Sequence, residues 1–525
     1  MTFFKNYPFL DFSKQENRDW IPGSLMSGRS QLPIKVPVVV NGIKIDGLDT
    51  RNVTNPSLTA EVVAINDMAT EKQAEDAVTA CEAAKKTWGT WPVSKRANII
   101  RKAADIMIER HHELVTLMVL EEAKDWKQAD ADLAEAIDFC RYYADEAERY
   151  FTPQPTSNTP GETNFYTYFP RGTCLTIAPW NFPSAILCGM TVAPLVCGNG
   201  VIMKPSNQSP AIGYRVFEIL IEAGVPSEAL HFLPGSGAKI GDYLVKHPKI
   251  HVIAFTGSKE VGLNIIKEAS VIREGQKHIK KAIAEMGGKN AVIIDDDADL
   301  DQAVTECLYA AFGYAGQKCS ACSRLIVLDN IYDKFKERFV DGLKSITVGA
   351  AHELDTKVSA VIDEASRDRL MGVIEKYKDN IIGQVELSKN LMEQGNFVPP
   401  TVFESTDFQS DLGQVEFFGP LVTLFRVNNL DEALAAANDV DYALTGGAFS
   451  RSPANIERIK KELECGNLYI NRSNTGAVVA KQPFGGFKLS GIHGSKAGGP
   501  DYLLHFLEPK TITENTMRRG FAPEV

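Results

Sequence analysis

The sequence predicts an α/β protein in which helices cover both faces of a mainly parallel sheet. Short apolar segments alternate with helical segments between residues 171 and 254, and Gly-rich turns follow two of the apolar segments. The chain has 525 residues, which is too long for one compact core, so two or three domains are expected. Ligands of such sheets bind beyond the carboxyl ends of the strands, where the Gly-rich turns lie.

The first part of the chain combines a hairpin with long helices. Residues 38–45 form a predicted hairpin, because Asn41-Gly42 separates two apolar strands. Thr70 to Gln73 form a capping box, and helices are predicted at 95–110, 113–122 and 129–150. The charges of the last of these helices are expected on a solvated face. An aromatic strand at 164–169 is a candidate surface for self-association, with an ordinary sheet edge as the alternative.

The region from 171 to 254 contains the predicted sheet. Its strands are expected at 173–178, 200–203, 231–233 and 250–255, with a helix at 213–222. The Gly-rich turns at 235–241 and 255–262 have neither the spacing of an ordinary dinucleotide fingerprint nor that of a Walker loop. Backbone N–H groups at a helix start after Thr256-Gly257-Ser258 are suited to hold a phosphate, with a plain connection as the alternative.

Cys319 is the candidate nucleophile. It follows Gly316-Gln317-Lys318, where a cation and the N–H groups of a turn are expected to lower the pKa of the thiol. A buried structural cysteine is the alternative. Cys322 completes a C-x-x-C pair, for which a redox dithiol is a minor alternative. No second pair or His cluster accompanies it in the sequence, so zinc is not expected.

Carboxylates that could take part in catalysis or metal binding lie shortly before this cysteine in the chain. Glu285 is predicted on a glycine-flanked turn before the apolar strand 291–294, where it is a candidate general base. The acidic run 295–301 resembles a calcium loop only superficially, because Leu300 stands where that loop needs glycine. We expect an Asp-rich helix start there and no metal.

Composition limits the partners. The 56 Lys and Arg residues against 67 Asp and Glu give a net charge of −11 without a long basic run, so nucleic acid is not expected. The first 20 residues lack the apolar core of a signal peptide, and no apolar stretch reaches membrane-spanning length. The nine cysteines, an odd number, argue against a disulfide framework. A cytoplasmic protein is therefore expected.

Seven ordered motifs resemble those of the aldehyde dehydrogenase superfamily and span nearly the whole chain. They lie at 179–183, 204–206, 255–258, 285–289, 316–319, 416–420 and 483–486. The resemblance implies a Rossmann-type cofactor domain, an α/β catalytic domain and a small β oligomerisation element. The implied bounds are 1–150 and 172–284 for the NAD(P)-binding domain, 285–487 for the catalytic domain, and 151–171 with 488–525 for the oligomerisation element. A homo-oligomer, either a dimer or an assembly of dimers, is expected.

The resemblance also implies a mechanism. Cys319 would attack an aldehyde, and the side-chain amide of Asn181 with the backbone N–H of Cys319 would stabilise the oxyanion. Glu285 would then activate the water that hydrolyses the thioester. Cys322 would be a packing residue. The presence of all three catalytic residues argues against a non-catalytic protein that has kept this fold.

NAD is the implied cofactor. Lys204 is implied at the adenosine ribose, Ser258 at the pyrophosphate and Glu416 at the nicotinamide ribose. The remaining implied cofactor-binding residues are Trp180, Ser206, Asn207, Gly241, Thr256, Gly257, Gly262 and Phe418. Many NAD-preferring relatives carry glutamate where this chain has Asn207, so we expect NADP to be tolerated.

The tail at 490–503 and the nucleophile motif resemble the branch that oxidises L-glutamate γ-semialdehyde to L-glutamate in proline catabolism. The implied substrate residues are Glu121, Lys318, Ser320, Gly476, Ala477 and Phe484. For Glu121 a solvent-exposed helical position is the alternative, and for the chain the alternative is a hydrolytic aldehyde dehydrogenase for another semialdehyde. The length is not expected to leave room for a proline-oxidising domain.

Overall fold

The computed structural model describes residues 4–46, 49–492 and 494–517. Two large, mainly parallel sheets confirm the predicted α/β class. Residues 1–3 and 47–48 of the predicted cofactor domain, and 493 and 518–525 of the predicted oligomerisation element, lie outside the described residues.

The first large sheet has eight strands. Their spatial order is Gly491–Ile492, Lys281–Glu285, Val252–Thr256, Cys174–Ile177, Val201–Lys204, Leu230–Phe232, Val38–Val40 and Ile43–Ile45. The five strands from the second to the sixth of this order are parallel, and the outer strands are antiparallel. The predicted hairpin at 38–45 is confirmed, with Asn41 and Gly42 both at positive φ as a two-residue turn requires.

Helices pack around this sheet. They are Ile21–Ser30, Glu71–Ala84, Val93–Glu109, His111–Glu121, Trp126–Phe151, Ala185–Val196, Pro210–Ala223, Asp242–Lys246 and Lys259–Ser270. The predicted capping box is present, because the Thr70 side chain accepts from the N–H of Gln73 and the Gln73 side chain accepts from the N–H of Thr70.

The second large sheet has seven strands. Their spatial order is Ile381–Gln384, Thr401–Ser405, Leu421–Val427, Arg324–Leu328, Ala291–Ile294, Thr445–Phe449 and Asn467–Ile470. All are parallel except the first. Its helices are Leu300–Phe312, Asp329–Gly342, Glu364–Lys376, Lys389–Gln394, Asp411–Gln414, Leu430–Asn438 and Pro453–Glu462.

Three small sheets complete the described fold. The strand Glu162–Pro170 pairs with Leu507–Asn515 on one side and Gln154–Pro155 on the other. Thr50–Asn55, Leu58–Asp67 and Ile34–Val36 form a second small sheet, and Tyr442–Ala443 pairs with Phe487–Lys488. The predicted aromatic strand at 164–169 is thus confirmed. Gly491–Ile492, placed by the sequence in the oligomerisation element, pairs instead with Lys281–Glu285 of the first large sheet.

The connection between the two large sheets positions the site. The strand Lys281–Glu285 ends the first sheet, and Ala291–Ile294 begins the second after a short crossing. The residues between these strands therefore lie where the carboxyl ends of the first sheet meet the second sheet. Parallel α/β sheets bind their ligands at such ends.

Candidate active site

The nucleophile lies on a left-handed turn. Tyr314, Ala315 and Gly316 have φ angles of 55°, 51° and 65° directly after the helix Leu300–Phe312. A left-handed conformation costs a non-glycine residue roughly 1–2 kcal/mol. A Cβ on Gly316 would lie 2.2 Å from the carbonyl oxygen of Gly419, so this position requires glycine. The turn directs the following residues, up to Cys319, into the space between the sheets.

Two asparagines hold the segment around Cys319. The Asn290 Nδ2 donates to the carbonyl oxygens of Cys319 at 2.7 Å and Ala321 at 2.9 Å. The Asn474 Nδ2 donates to the carbonyl of Ser320 at 3.0 Å. Sequence reasoning missed both asparagines, because nothing local marks a side chain that bonds to a backbone segment far away in the chain.

Burial is the main cause of the shifted pKa of the Cys319 thiol. It raises the pKa of Cys319 well above its ordinary value, and the carboxylates of Glu416 and Glu285 raise it further. The expectation that Lys318 lowers this pKa is wrong. The Lys318 ammonium lies 5.2 Å from the centroid of the Tyr309 ring, so its charge faces that ring. Only the backbone N–H of Cys319 itself, a smaller contribution, lowers the pKa among the causes from its own turn.

Cys322 has a different environment. Its side chain is buried against the second large sheet, and burial raises the pKa of its thiol to about 12. The sulfur contacts the carbonyl oxygen of Arg324 at 3.6 Å. This environment is that of a packing residue.

Asn181 lies beside the nucleophile. It follows the strand Cys174–Ile177, and its buried Nδ2 donates to the carbonyl of Gln317 at 3.0 Å. A carboxamide carries two N–H groups, so one remains for a ligand oxygen near Cys319. A buried amide that is held beside the nucleophile turn is a candidate donor to an oxyanion formed at Cys319.

Glu285 is held more firmly than the sequence suggests. It ends a strand rather than lying on a mobile turn, because its carbonyl accepts from Gly257 at 3.0 Å and the next N–H donates to Ser490 at 2.8 Å. Its side chain is buried, and burial raises the pKa of the carboxyl group to about 8. The ammonium of Lys496 partly offsets this effect.

The predicted adenosine end contains a buried lysine and a buried amide oxygen. Lys204 is 5% exposed, its ammonium donates to the carbonyl of Pro205 at 3.3 Å, and burial lowers its pKa to about 8. Gly241 lies beside it, since a Cβ there would be 3.5 Å from the Lys204 Cε. Among the described residues the buried Asn207 Oδ1 has no hydrogen-bond partner, whereas the Ser206 hydroxyl donates to Gln208 at 2.8 Å. A buried cation and an unpaired acceptor suit the hydroxyl groups of a ribose.

The predicted pyrophosphate end is a helix N-terminus. Ser258 is the N-cap of Lys259–Ser270, and its side chain does not cap the helix, so in the described part of the chain the first N–H groups remain open. A Cβ on Gly257 would lie 2.6 Å from the Phe255 ring, and one on Gly262 would lie 2.6 Å from the Met286 sulfur. A side chain on Gly257 would clash with the Phe255 ring, and one on Gly262 would force the Met286 side chain to move, so both glycines keep clear an opening that fits an anionic group.

The predicted nicotinamide end lies next to the catalytic residues. Glu416 accepts from the N–H of Gly288 at 2.9 Å, and burial raises its pKa to about 7. The rings of Trp180 and Phe418 meet edge to face with centroids 5.6 Å apart. The Thr256 hydroxyl contacts the sulfur of Met190 at 3.5 Å. Together these ends fit a dinucleotide that extends towards Cys319.

The comparisons with known proteins decide the family. The model of the aldehyde dehydrogenase family matches residues 44–512. The chain belongs to the aldehyde dehydrogenase family. A 1-pyrroline-5-carboxylate dehydrogenase of Oceanobacillus iheyensis is 42% identical over 513 residues, which are 97% of this chain and 99% of that protein.

Solved structures agree with this assignment. A Thermus 1-pyrroline-5-carboxylate dehydrogenase with bound NAD has a TM-score of 0.95 and 41% identity, covering 98% of this chain and 99% of its own. Proline utilization A of Bdellovibrio bacteriovorus has a TM-score of 0.96 and 47% identity over 99% of this chain. The match covers 54% of that longer chain, so this aldehyde dehydrogenase spans about half its length. Within the described residues, no helix has the length and apolar character to cross a membrane.

A loop of this aldehyde dehydrogenase is tied to the nucleophile segment. The Thr475 hydroxyl lies 2.7 Å from that of Ser320. The next residue, Gly476, has a φ of +79°, and in the described part of the chain the N–H groups of Gly476 and Ala477 donate no hydrogen bond. Phe484 follows on a bridge to Ala497, with backbone hydrogen bonds of 2.8 and 2.9 Å. Two open amides thus lie on a loop fixed to the residue beside Cys319.

Glu121 does not belong to this site. It is fully buried, and its two oxygens accept from the N–H groups of Ala211 at 2.7 Å and Ile212 at 2.9 Å. The carboxylate therefore caps the helix Pro210–Ala223. Both interpretations from the sequence, a substrate-entrance residue and a solvated surface residue, are wrong.

Sequence reasoning missed Glu135. It lies on the helix Trp126–Phe151, whose charges were expected on a solvated face. Burial raises the pKa of Glu135 to about 8, and its charge is near enough to Cys319 to raise the pKa of the thiol. The helical pattern favours a solvated position for Glu135, but its carboxyl group is desolvated and its charge reaches Cys319.

The acidic run forms a helix start, as expected. The Asp299 carboxylate caps Leu300–Phe312 by accepting from the N–H of Gln302. Asp295 accepts from the Ser450 hydroxyl at 2.6 Å and from Asn455 at 2.8 Å. These two carboxylates therefore accept hydrogen bonds from groups of the protein itself.

Proposed function

We propose that this aldehyde dehydrogenase oxidises L-glutamate γ-semialdehyde, the open form of 1-pyrroline-5-carboxylate, to L-glutamate in the breakdown of proline. The carrying observation is the loop with two open N–H groups, at Gly476 and Ala477, tied through Thr475 to Ser320 beside the nucleophile. The 1-pyrroline-5-carboxylate dehydrogenases among its relatives, which match it over nearly the full length, support the same substrate.

Both charged groups of the substrate find partners. Its carboxylate binds the amides of Gly476 and Ala477, because small residues let a backbone approach an anion closely. Its ammonium pairs with Glu135, whose charge is within electrostatic reach of Cys319. Before the substrate binds, burial raises the pKa of the Glu135 carboxyl group to about 8, so the group is mostly protonated near neutral pH. An ammonium ion beside it lowers that pKa and favours the ionised form.

Cys319 forms the first covalent bond. The thiol proton passes to solvent water, the sulfur attacks the aldehyde carbon, and the carbonyl electrons move to the oxygen, giving the oxyanion of a thiohemiacetal. Asn181 and the backbone N–H of Cys319 stabilise the oxyanion. NAD, when bound, supplies the two-electron acceptor that converts this adduct into a thioester. Lys204, the N-terminus after Ser258 and Glu416 are the residues that would hold it.

Glu285 performs the second step. Its carboxylate takes a proton from water, the resulting oxygen attacks the thioester carbon, and the C–S bond breaks to release L-glutamate and return Cys319. A base with a pKa of about 8 is close enough to neutral pH to take this proton and pass it to solvent. Its fixed position at a strand end keeps the base directed at one side of the thioester.

The thiols and the exposed surface support a location and an assembly state for the enzyme. All nine cysteines are free, which supports a reducing, cytoplasmic location. Phe165, Phe169 and Ile512 are exposed on the small sheet in which Glu162–Pro170 pairs with Leu507–Asn515. An exposed apolar sheet face of this kind supports a homo-oligomer, either a dimer or an assembly of dimers.

The test compares two aldehydes. NADH formation is measured with L-glutamate γ-semialdehyde and with propanal, for the wild type, Glu135→Gln and Glu148→Gln. Glu148 lies on the same helix and pairs with Arg101, so it is the matched control. We expect Glu135→Gln to raise KM for the semialdehyde by roughly 10-fold or more, the value of one charge-assisted hydrogen bond. Propanal kinetics and the Glu148 variant stay unchanged. A wild type that prefers propanal refutes the proposed substrate.

A further inference from the structure

Lys124 is a buried cation to which the steps above give no role. Its side chain and that of Asp132 are both 0% exposed, and the Lys124 Nζ lies 3.0 Å from the Asp132 Oδ2. The same Nζ donates to the main-chain carbonyl of Asn181. Burying an ion pair costs desolvation that its attraction only partly returns, so such a pair is weak support for stability. The bond to Asn181 points to another role.

Two aromatic rings enclose the ammonium. The Lys124 Nζ lies 4.0 Å from the centroid of the Phe182 ring and 4.5 Å from that of Tyr314. Both distances are within the range of a cation–π interaction. Phe182 directly follows Asn181, whose amide binds the oxyanion, and Tyr314 begins the left-handed turn that leads to Cys319. One ammonium thus contacts the loops of both catalytic groups.

The surroundings fix the ammonium itself. The Asp132 Oδ1 accepts from the N–H of Ala185 at 2.7 Å, so Asp132 is tied to the helix that follows the Asn181 loop. The Tyr314 hydroxyl donates to the carbonyl of Glu122, two residues before Lys124, at 3.3 Å. The nucleophile turn is therefore bound to the backbone beside Lys124 as well as to its side chain.

We propose that Lys124 is a positioning residue that sets the separation between the Asn181 amide and the nucleophile turn. Asn181 reaches that turn by one hydrogen bond, from its Nδ2 to the Gln317 carbonyl. The Lys124 ammonium adds a second link between the same two loops, through the Asn181 carbonyl and the Tyr314 ring. The inference rests on the thiol chemistry of the proposed function but not on the identity of the aldehyde.

A simpler role for Lys124 is to neutralise Asp132, and the variants separate the two. Lys124→Met/Asp132→Asn removes both members of the buried ion pair together, and it also removes the link to Asn181. Asp132→Asn alone keeps the link. Lys280→Met is the matched control, because Lys280 is also a buried lysine that donates to a main-chain carbonyl, that of Val245.

Each variant is assayed for kcat and KM with the aldehyde that the wild type turns over, and for the rate at which iodoacetamide alkylates Cys319. Alkylation needs neither aldehyde nor cofactor, so it reports on the turn even if the proposed substrate is wrong. We expect the double variant to lose about 100-fold in kcat with little change in KM, comparable to the loss of an oxyanion donor. Its alkylation rate also changes. Asp132→Asn and Lys280→Met keep kcat within about 5-fold of the wild type.

Two results overturn the proposal. One is a folded double variant, with an unchanged circular dichroism spectrum, that keeps the kcat and alkylation rate of the wild type. The other is a loss in Asp132→Asn of 30-fold or more in kcat, because the charge pair and not the link to Asn181 would then set the geometry. The second result can be obtained even if the double variant does not fold.

Discussion

The pH dependence of thioester hydrolysis tests the placement of Glu285 and Lys496. A base with a pKa of about 8 is roughly 9% ionised at pH 7 and roughly 91% ionised at pH 9. Hydrolysis therefore accelerates about 10-fold between these pH values, in the direction of rising pH, because only the ionised carboxylate accepts the proton. Lys496 lowers the pKa of Glu285, so Lys496→Met raises it and moves the profile to higher pH.

The assay separates hydrolysis from the earlier step. Rapid mixing of enzyme, NAD and aldehyde gives a burst of NADH from acylation, followed by a steady rate limited by hydrolysis, and the steady rate is measured against pH. Lys481→Met is the matched control, since Lys481 is exposed on the same C-terminal part of the chain. A steady rate that is flat from pH 7 to 9, or a shift of Lys496→Met to lower pH, refutes the reasoning.

Three further predictions follow from the site and the surface. Cys319→Ala abolishes NADH formation, whereas Cys322→Ala keeps it and costs roughly 1 kcal/mol in urea unfolding, as expected for a small buried side chain; loss of turnover in the second variant would contradict the assignment. The ratio of kcat/KM for NAD over NADP stays below ~10³ and rises at least ~10-fold in Asn207→Glu, because a carboxylate repels the 2′-phosphate; an unchanged ratio in this variant would place the ribose elsewhere. Phe165 and Ile512 are paired on adjacent strands of the small sheet, so the double variant Phe165→Ser/Ile512→Ser lowers the mass of the assembly measured by light scattering. An assembly of unchanged mass would show that another surface joins the subunits.

The sequence indicated two candidate catalytic groups because their chemistry is local. A thiol on a tight glycine turn and a carboxylate before a buried strand are each marked by a few adjacent residues, and Cys319 and Glu285 were proposed in this way. Asn181 came only from the resemblance of its motif to the family. The strands of the first sheet were predicted from local patterns. Periodicity and capping are also local properties, which is why the helix and hairpin predictions in the first half of the chain were confirmed.

Tertiary structure decided the environment of each charge. Glu121 and Glu135 both have helical patterns that are compatible with a solvated face, yet the first caps another helix and the charge of the second reaches Cys319. The direction of the Lys318 ammonium depends on where the Tyr309 ring lies.

The clamp around Cys319 and the enclosure of Lys124 likewise join residues that are far apart in the chain. The Asn474 side chain reaches the backbone of Ser320, and the Lys124 ammonium reaches the Tyr314 ring. The sequence therefore determined which chemistry this aldehyde dehydrogenase carries. Only the packing of two sheets against each other decided how each group is held and charged, because burial and long-range hydrogen bonds are absent from any local pattern.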